Sequence, residues 1–133
     1  MTQRSVTRQF AHDPKEVARA RHMVRSQLED WGLAAELPAL ELAVSELVTN
    51  AIVHGGGQIE VSLSELDGCV RLEVGDEGTT GTPRPTLSSG GAEAGAGGWG
   101  LRLVEGLSDT WGTHRDRGRT QVWMERRTDG RAP

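Results

Sequence analysis

The chain has 133 residues, 18 of them glycine and one cysteine, with 15 basic against 19 acidic side chains for a net charge of −4. That length suits one domain, residues 1–133, hiding roughly two-thirds of its surface in one core. A single cysteine excludes an internal disulfide framework and a multi-cysteine zinc site. The acidic balance argues against direct nucleic-acid binding through phosphate contacts, and no apolar run approaches the ~20 residues of a membrane span. The segment MTQRSVTRQFAHD has no apolar stretch after its positive charges, so it does not read as a signal peptide, and the expectation is a soluble cytoplasmic protein.

Ser5 to Phe10 alternates and predicts an edge strand. Asp13-Pro14-Lys15-Glu16 then predicts a helix start, with Asp13 as cap, Pro14 in the first turn and Glu16 closing a capping box. Val17, Ala20, Met23, Val24 and Leu28 recur at helical spacing, so the first helix is expected from Pro14 to about Trp31, with Gly32 as its stop. A second helix is expected from near Pro38 to His54, with Leu40, Ala43, Val44, Leu47 and Ala51 on one stripe and Gly55 to Gly57 ending it. Gln58–Leu66 and Cys69–Val74 read as strands joined at Asp67-Gly68, a hairpin signal.

Gly75 to Gly98 changes character, and nine of the 18 glycines fall between Gly75 and Gly100. On composition alone this is a linker; inside a domain this short it reads as a lid over a functional site. Trp99–Leu107 predicts a short helix, and Thr110–His114 and Thr120–Arg126 predict a last strand pair about Asp116-Arg117-Gly118, with a frayed tail over 128–133. The order β-α-α-β-β-lid-α-β-β gives an α+β fold. It is a two-layer α/β sandwich, a mixed, mostly antiparallel sheet with three helices on one face.

Three clusters carry candidate chemistry. Glu46, Asn50 and His54 are four residues apart and share one helical edge. A carboxylate can take a proton from a hydroxyl, and an amide oxygen suits Mg²⁺. Taken alone, the triplet reads first as a solvated polar face. Asp76, in Val74-Gly75-Asp76-Glu77-Gly78, can accept a hydrogen bond from an exocyclic amine, with glycine letting a flat ring approach; alone, the stretch is a loop entry. Gly97-Gly98-Trp99-Gly100-Leu101 opens a helix, where backbone N–H groups suit phosphate; alone, it is a flexible loop end. It is neither a P-loop nor a Rossmann fingerprint.

Together the three resemble a known family. Glu46-x-x-x-Asn50-Ala51-x-x-His54-Gly55 is similar to the N box of the GHKL (Bergerat) ATP-binding fold, Asp76-x-Gly78 to its G1 box, and Gly98-x-Gly100-Leu101 to its G2 box. Within that superfamily the chain most resembles the single-domain anti-sigma-factor serine kinases, through Gly98-Trp99-Gly100-Leu101-Arg102-Leu103-Val104-Glu105 and Leu107-Ser108-Asp109-Thr110-Trp111-Gly112. The resemblance implies ATP and Mg²⁺ as cofactors. Asp76 would bond the adenine amine with Gly78 allowing approach, Asn50 would hold Mg²⁺, and Glu46 would be the general base. Gly98, Gly100 and Leu101 would present N–H groups to the phosphates, Thr120 would support the adenine pocket, and residues 79–97 would close as a lid. It implies a kinase that phosphorylates a serine on a small antagonist protein and sequesters a sigma factor, often as a homodimer. Two positions depart from the pattern: Thr80 stands where a second G1 glycine is common, and Trp99 where a small or basic residue is. The lid has little family character, which keeps open a second reading as an ATP-binding regulatory module with weak or no catalysis. Arg84 reads as a solvated loop residue and His54 as a helix-terminal structural one. The single lysine, Lys15, does not count against such a site, because backbone amides, a helix dipole and Mg²⁺ can hold a triphosphate.

Overall fold

The computed structural model describes residues 3–77 and 101–128. β1 (Arg4–Phe10) leads into α1 (Glu16–Asp30), and a 3₁₀ turn (Ala34–Glu36) into α2 (Leu37–His54). β2 (Gly56–Leu66) and β3 (Cys69–Glu77) follow; then residues 101–107 form a helix, α3, before β4 (Thr110–Asp116) and β5 (Arg119–Arg127). The strands form a five-stranded sheet in the order β1-β2-β3-β5-β4, and all four pairings are antiparallel, so the expected mixed sheet lies at its antiparallel limit.

Residue alternation assigns the faces. Ile59, Val61 and Leu63 of β2, Val70, Leu72 and Val74 of β3, and Val122 and Met124 of β5 are buried on one side. They meet Leu40, Ala43, Val44, Leu47, Val48 and Ala51 of α2, while α1 packs on α2 through Ala20, Met23, Val24 and Leu28. Leu101 and Val104 of α3 complete the same core. The opposite sheet face is polar: Arg71 pairs with Glu73 and Glu125 at 2.9 and 2.7 Å and lies over the Trp123 ring. Among the described residues no helix is long and apolar enough to cross a membrane.

The helix ends show which local signals hold. α1 closes as expected: Gly32 (φ +73°) donates to Glu29 and Leu33 to Leu28, at 3.1 and 2.8 Å, a left-handed stop that satisfies the last carbonyls. Its start differs from expectation. The Asp13 carboxylate accepts from the Lys15 N–H at 2.9 Å and holds Pro14-Lys15 in a turn, so the helix begins at Glu16. No capping box forms, because Glu16 pairs forward with Arg19 at 3.4 Å. In the last hairpin Arg117 and Gly118 both take positive φ, 53° and 81°, as a tight two-residue turn requires. Thr128, the first residue of the expected frayed tail, donates its N–H to Gly68 at 2.9 Å.

The strands run longer than the sequence suggests, most of all where they flank Asp76. β3 continues to Glu77, and β2 begins at Gly56 with an irregularity between Gly56 and Glu60. Gly-Asp-Glu-Gly reads as a turn, but Asp76 pairs with Thr120 and Glu77 with Arg119, and that ladder outweighs local propensity.

Candidate functional site

α2 runs across the core side of β2 and β3, and its last turns present the first cluster at one end of the sheet. Leu47, Val48 and Ala51 anchor the helix. That anchoring fixes the neighbouring edge: Glu46 is half-buried, and Asn50, one turn on, is 8% exposed. The Asn50 Oδ1 atom is buried and has no hydrogen-bond partner among the described residues. Orphaned buried acceptors are rare, since each costs about 1–3 kcal/mol. This one fits a bound cation or donor. His54, a further turn along, is exposed at the helix end.

Asp76 lies on the same sheet face as Val74, near the end of β3, and is 6% exposed. Its carboxyl sits against Gly55, directly after α2; a Cβ there would stand 2.4 Å from Asp76 Cγ and Oδ1. The next residue, Gly56, donates its N–H to Asp76 Oδ1 at 3.4 Å. Burial pushes the Asp76 carboxyl above its ordinary pKa; the Gly56 N–H and the charges of Arg119, His12 and Arg115 oppose that shift. The residue facing Asp76 across the ladder is Thr120, 1% exposed, whose Oγ1 accepts from Arg115 Nη1 at 3.4 Å.

Arg119 crosses the outer face of β3, reaching Glu77 and Glu60 at 3.4 and 3.7 Å. Glycine at 75 makes room for it: a Cβ there would lie 3.2 Å from Arg119 Nη2 and 3.0 Å from Gln121 Cγ.

The fold therefore gathers Glu46, Asn50, Asp76 and Thr120 at one end of the sheet, on α2, β3 and β5. Leu101, 3% exposed, is the first described residue of α3 and faces the core. Gly78, Gly98, Gly100, Arg84, Trp99 and the lid 79–97 lie outside the described residues. Sequence reasoning missed the seat of Asp76: Gly55 reads as a helix stop and as the end of the N-box match, and neither signals that the end of β3 folds onto it. An open cleft of about 600 Å³ between β1 and α1, lined by Thr7, Phe10, Arg19, His22 and Met23 among others, contains none of these site residues.

Comparisons with known proteins agree with this fold. A family model described as the histidine kinase-like ATPase domain matches residues 10–126. The anti-sigma F factors of Geobacillus stearothermophilus and Geobacillus kaustophilus (strain HTA426) are each 37% identical over 84 residues, covering 56% of this chain and 57% of theirs. The chain thus spans little more than half the length of the curated relatives it matches. The solved structure of the RsbU and RsbW domains of a Mycobacterium tuberculosis protein shares the fold, with a TM-score of 0.66 at 21% identity, covering 93% of this chain and 32% of that one. The order of the elements, the site at the end of α2 and the match over 10–126 lead to one assignment: the chain belongs to the histidine kinase-like ATPase domain family.

Proposed function

We propose that this protein binds ATP with Mg²⁺ and acts as an anti-sigma-type serine kinase in a partner switch, phosphorylating a small antagonist protein and sequestering a sigma factor. The single observation that carries the nucleotide half is a pair of buried groups near the end of α2: Asn50 Oδ1, without a partner among the described residues, and the desolvated Asp76 carboxyl. The similarity to two anti-sigma F factors supports the partner half.

Asp76 would accept from the adenine amino group, with Thr120 opposite it closing the pocket, and Gly78 would let the ring approach. Asn50 would be the protein's ligand to Mg²⁺. Mg²⁺ bound with a nucleotide keeps phosphate oxygens and water as ligands, so a single amide oxygen from the protein suits it. The bound ion would neutralise charge on the transferring phosphoryl group. Gly98, Gly100 and Leu101 would offer backbone N–H groups to the phosphates. Glu46 stands one helical turn from Asn50, where a general base is needed. It would take the proton of the acceptor serine as the serine oxygen bonds to the γ-phosphorus and the bond to the departing ADP breaks.

The test is phosphate transfer from labelled ATP to candidate antagonist proteins, with wild type and Glu46→Gln. The expected result is transfer by wild type, a fall of about 10²–10⁴-fold in the variant, and unchanged ATP affinity. Equal transfer by both would remove Glu46 as the base. Binding of ATP with no transfer to any candidate would leave a nucleotide-binding regulatory module in place of a kinase. Phosphate release without any acceptor protein would make water the acceptor.

A further inference from the structure

Away from the site residues, the C-terminal end of β5 carries a buried ion pair that the reading above does not use. Arg126 shares the helix-facing side of β5 with Met124 and stands opposite Val70. Its Nε lies 2.5 Å from Glu36 Oε1, and the two side chains are 16% and 5% exposed. Its Nη1 donates to the carbonyl of Leu107, the last residue of α3. Glu36 is the residue immediately before α2. One guanidinium therefore holds the start of α2 and the end of α3 together. Two further bonds brace the same corner: the Asp109 N–H donates to the Glu125 carbonyl at 2.8 Å, and the Arg127 N–H donates to the Asp109 carboxylate at 2.7 Å.

Stability alone does not explain this arrangement. A buried ion pair is often no more stabilising than well-packed apolar residues of similar volume, because both ions lose their water. What arginine adds is geometry, a planar fork with donors in fixed directions, here aimed at two different elements. Those elements matter to the site. α2 carries Glu46 and Asn50, and Leu101 is the first described residue of α3. A change in the separation of α2 and α3 would move Asn50 relative to Leu101.

We infer that Arg126, with Glu36, is a positioning residue that fixes the separation of α2 and α3 and so the phosphate-binding end of the nucleotide cleft. This inference rests on the nucleotide-binding reading above. Leu47, Val48 and Ala51 hold α2 in the core, so loss of the pair would displace α3 rather than α2, and the predicted defect lies at the phosphates while the Asp76 seat against Gly55 keeps its place.

The experiment compares wild type, the charge-free double variant Glu36→Leu/Arg126→Met, and Arg126→Lys. Thermal unfolding is measured alongside ATP and AMP affinity, since AMP keeps the adenine contacts and lacks the β- and γ-phosphates. In the double variant the unfolding midpoint stays near that of wild type, AMP affinity holds, and ATP affinity falls about tenfold. Arg126→Lys keeps the charge but cannot fork to both partners, so it loses ATP affinity selectively as well. Wild-type ATP affinity in the double variant overturns the inference. So does a parallel loss of ATP and AMP binding, which marks a merely structural pair. Should the double variant fail to fold, the ATP-to-AMP ratio of Arg126→Lys decides. A wild-type protein that binds neither nucleotide refutes the nucleotide reading itself, a different outcome from either of these.

Discussion

Gly55→Ala isolates the seat of Asp76. Gly55 has φ −103°, ψ −160°, a conformation open to any residue, so alanine introduces no backbone strain. The whole effect is steric: the new Cβ would stand 2.4 Å from Asp76 Cγ and Oδ1 and 2.7 Å from Oδ2. Carbon atoms in contact sit at about 3.5–4.0 Å, so the carboxyl must withdraw by roughly 1 Å. It is the far end of a side chain and can swing, at about 0.5–1.5 kcal/mol for an off-rotamer χ. Swinging also breaks the 3.4 Å bond from the Gly56 N–H, which is long and contributes little. The stability loss is therefore about 1 kcal/mol. The binding loss is larger, because the acceptor leaves its place: a hydrogen bond to a charged group contributes about 1.5–3 kcal/mol, or roughly 10- to 150-fold in ATP affinity. Gly32→Ala is the control, since Gly32 has φ +73° and open space around it. It loses about 1 kcal/mol to backbone strain and nothing in affinity. Calorimetric ATP titration and thermal unfolding read both variants. Wild-type ATP affinity in Gly55→Ala would refute the reasoning, whatever happened to stability.

Two further substitutions trade stability against binding. Asp76→Asn unfolds at a higher temperature than wild type near neutral pH, because the native state raises the Asp76 pKa and so disfavours its charged form. The wild-type handicap is complete above the raised pKa and fades as pH falls towards the ordinary carboxylate value, where the two melting curves should converge. A constant difference from pH 4 to 8 would remove desolvation as the cause. Asn50→Leu removes the orphaned buried acceptor at nearly constant volume, so the nucleotide-free protein gains about 1 kcal/mol while Mg²⁺-dependent ATP affinity collapses. Equal ATP affinity with and without Mg²⁺ in wild type would sink the metal assignment.

Local signals carried most of the fold. The stripe Leu40, Ala43, Val44, Leu47, Ala51 and the alternation of Ile59, Val61, Leu63 are periodicities, and both elements form where periodicity puts them. The site was legible where residues four apart on a helix must share an edge, as Glu46 and Asn50 do. What was not legible depends on distant pairing. Asp76 looked like a loop entry because the partner that extends its strand, Thr120, is remote in sequence. The Glu36 to Arg126 pair spans 90 residues, and nothing near either one announces it. The capping box failed for a local reason: Asp13 turned its carboxylate onto Lys15, one position short of the helix.

Two costs of this fold are adjacent, and their placement is itself an argument for a ligand. Asn50 and Gly55 are five residues apart, about 7.5 Å of rise along the end of α2. At one end of that span stands an acceptor with no donor among the described residues, and at the other a carboxyl desolvated by burial. A folded chain rarely keeps one such group, and apolar replacements of similar volume exist for both. A single elongated ligand with a hydrogen-bond donor at one end and a hard cation at the other would relieve both at once. Binding would then raise stability by more than either contact suggests, because it removes two native-state penalties as it forms its own bonds. The measurable consequence is a reversal of sign on ligand binding. Asn50→Leu and Asp76→Asn should each stabilise the nucleotide-free protein, and in saturating Mg²⁺–ATP each should be less stable than wild type. If either variant kept its advantage in the presence of ligand, the two oxygens would not belong to one site.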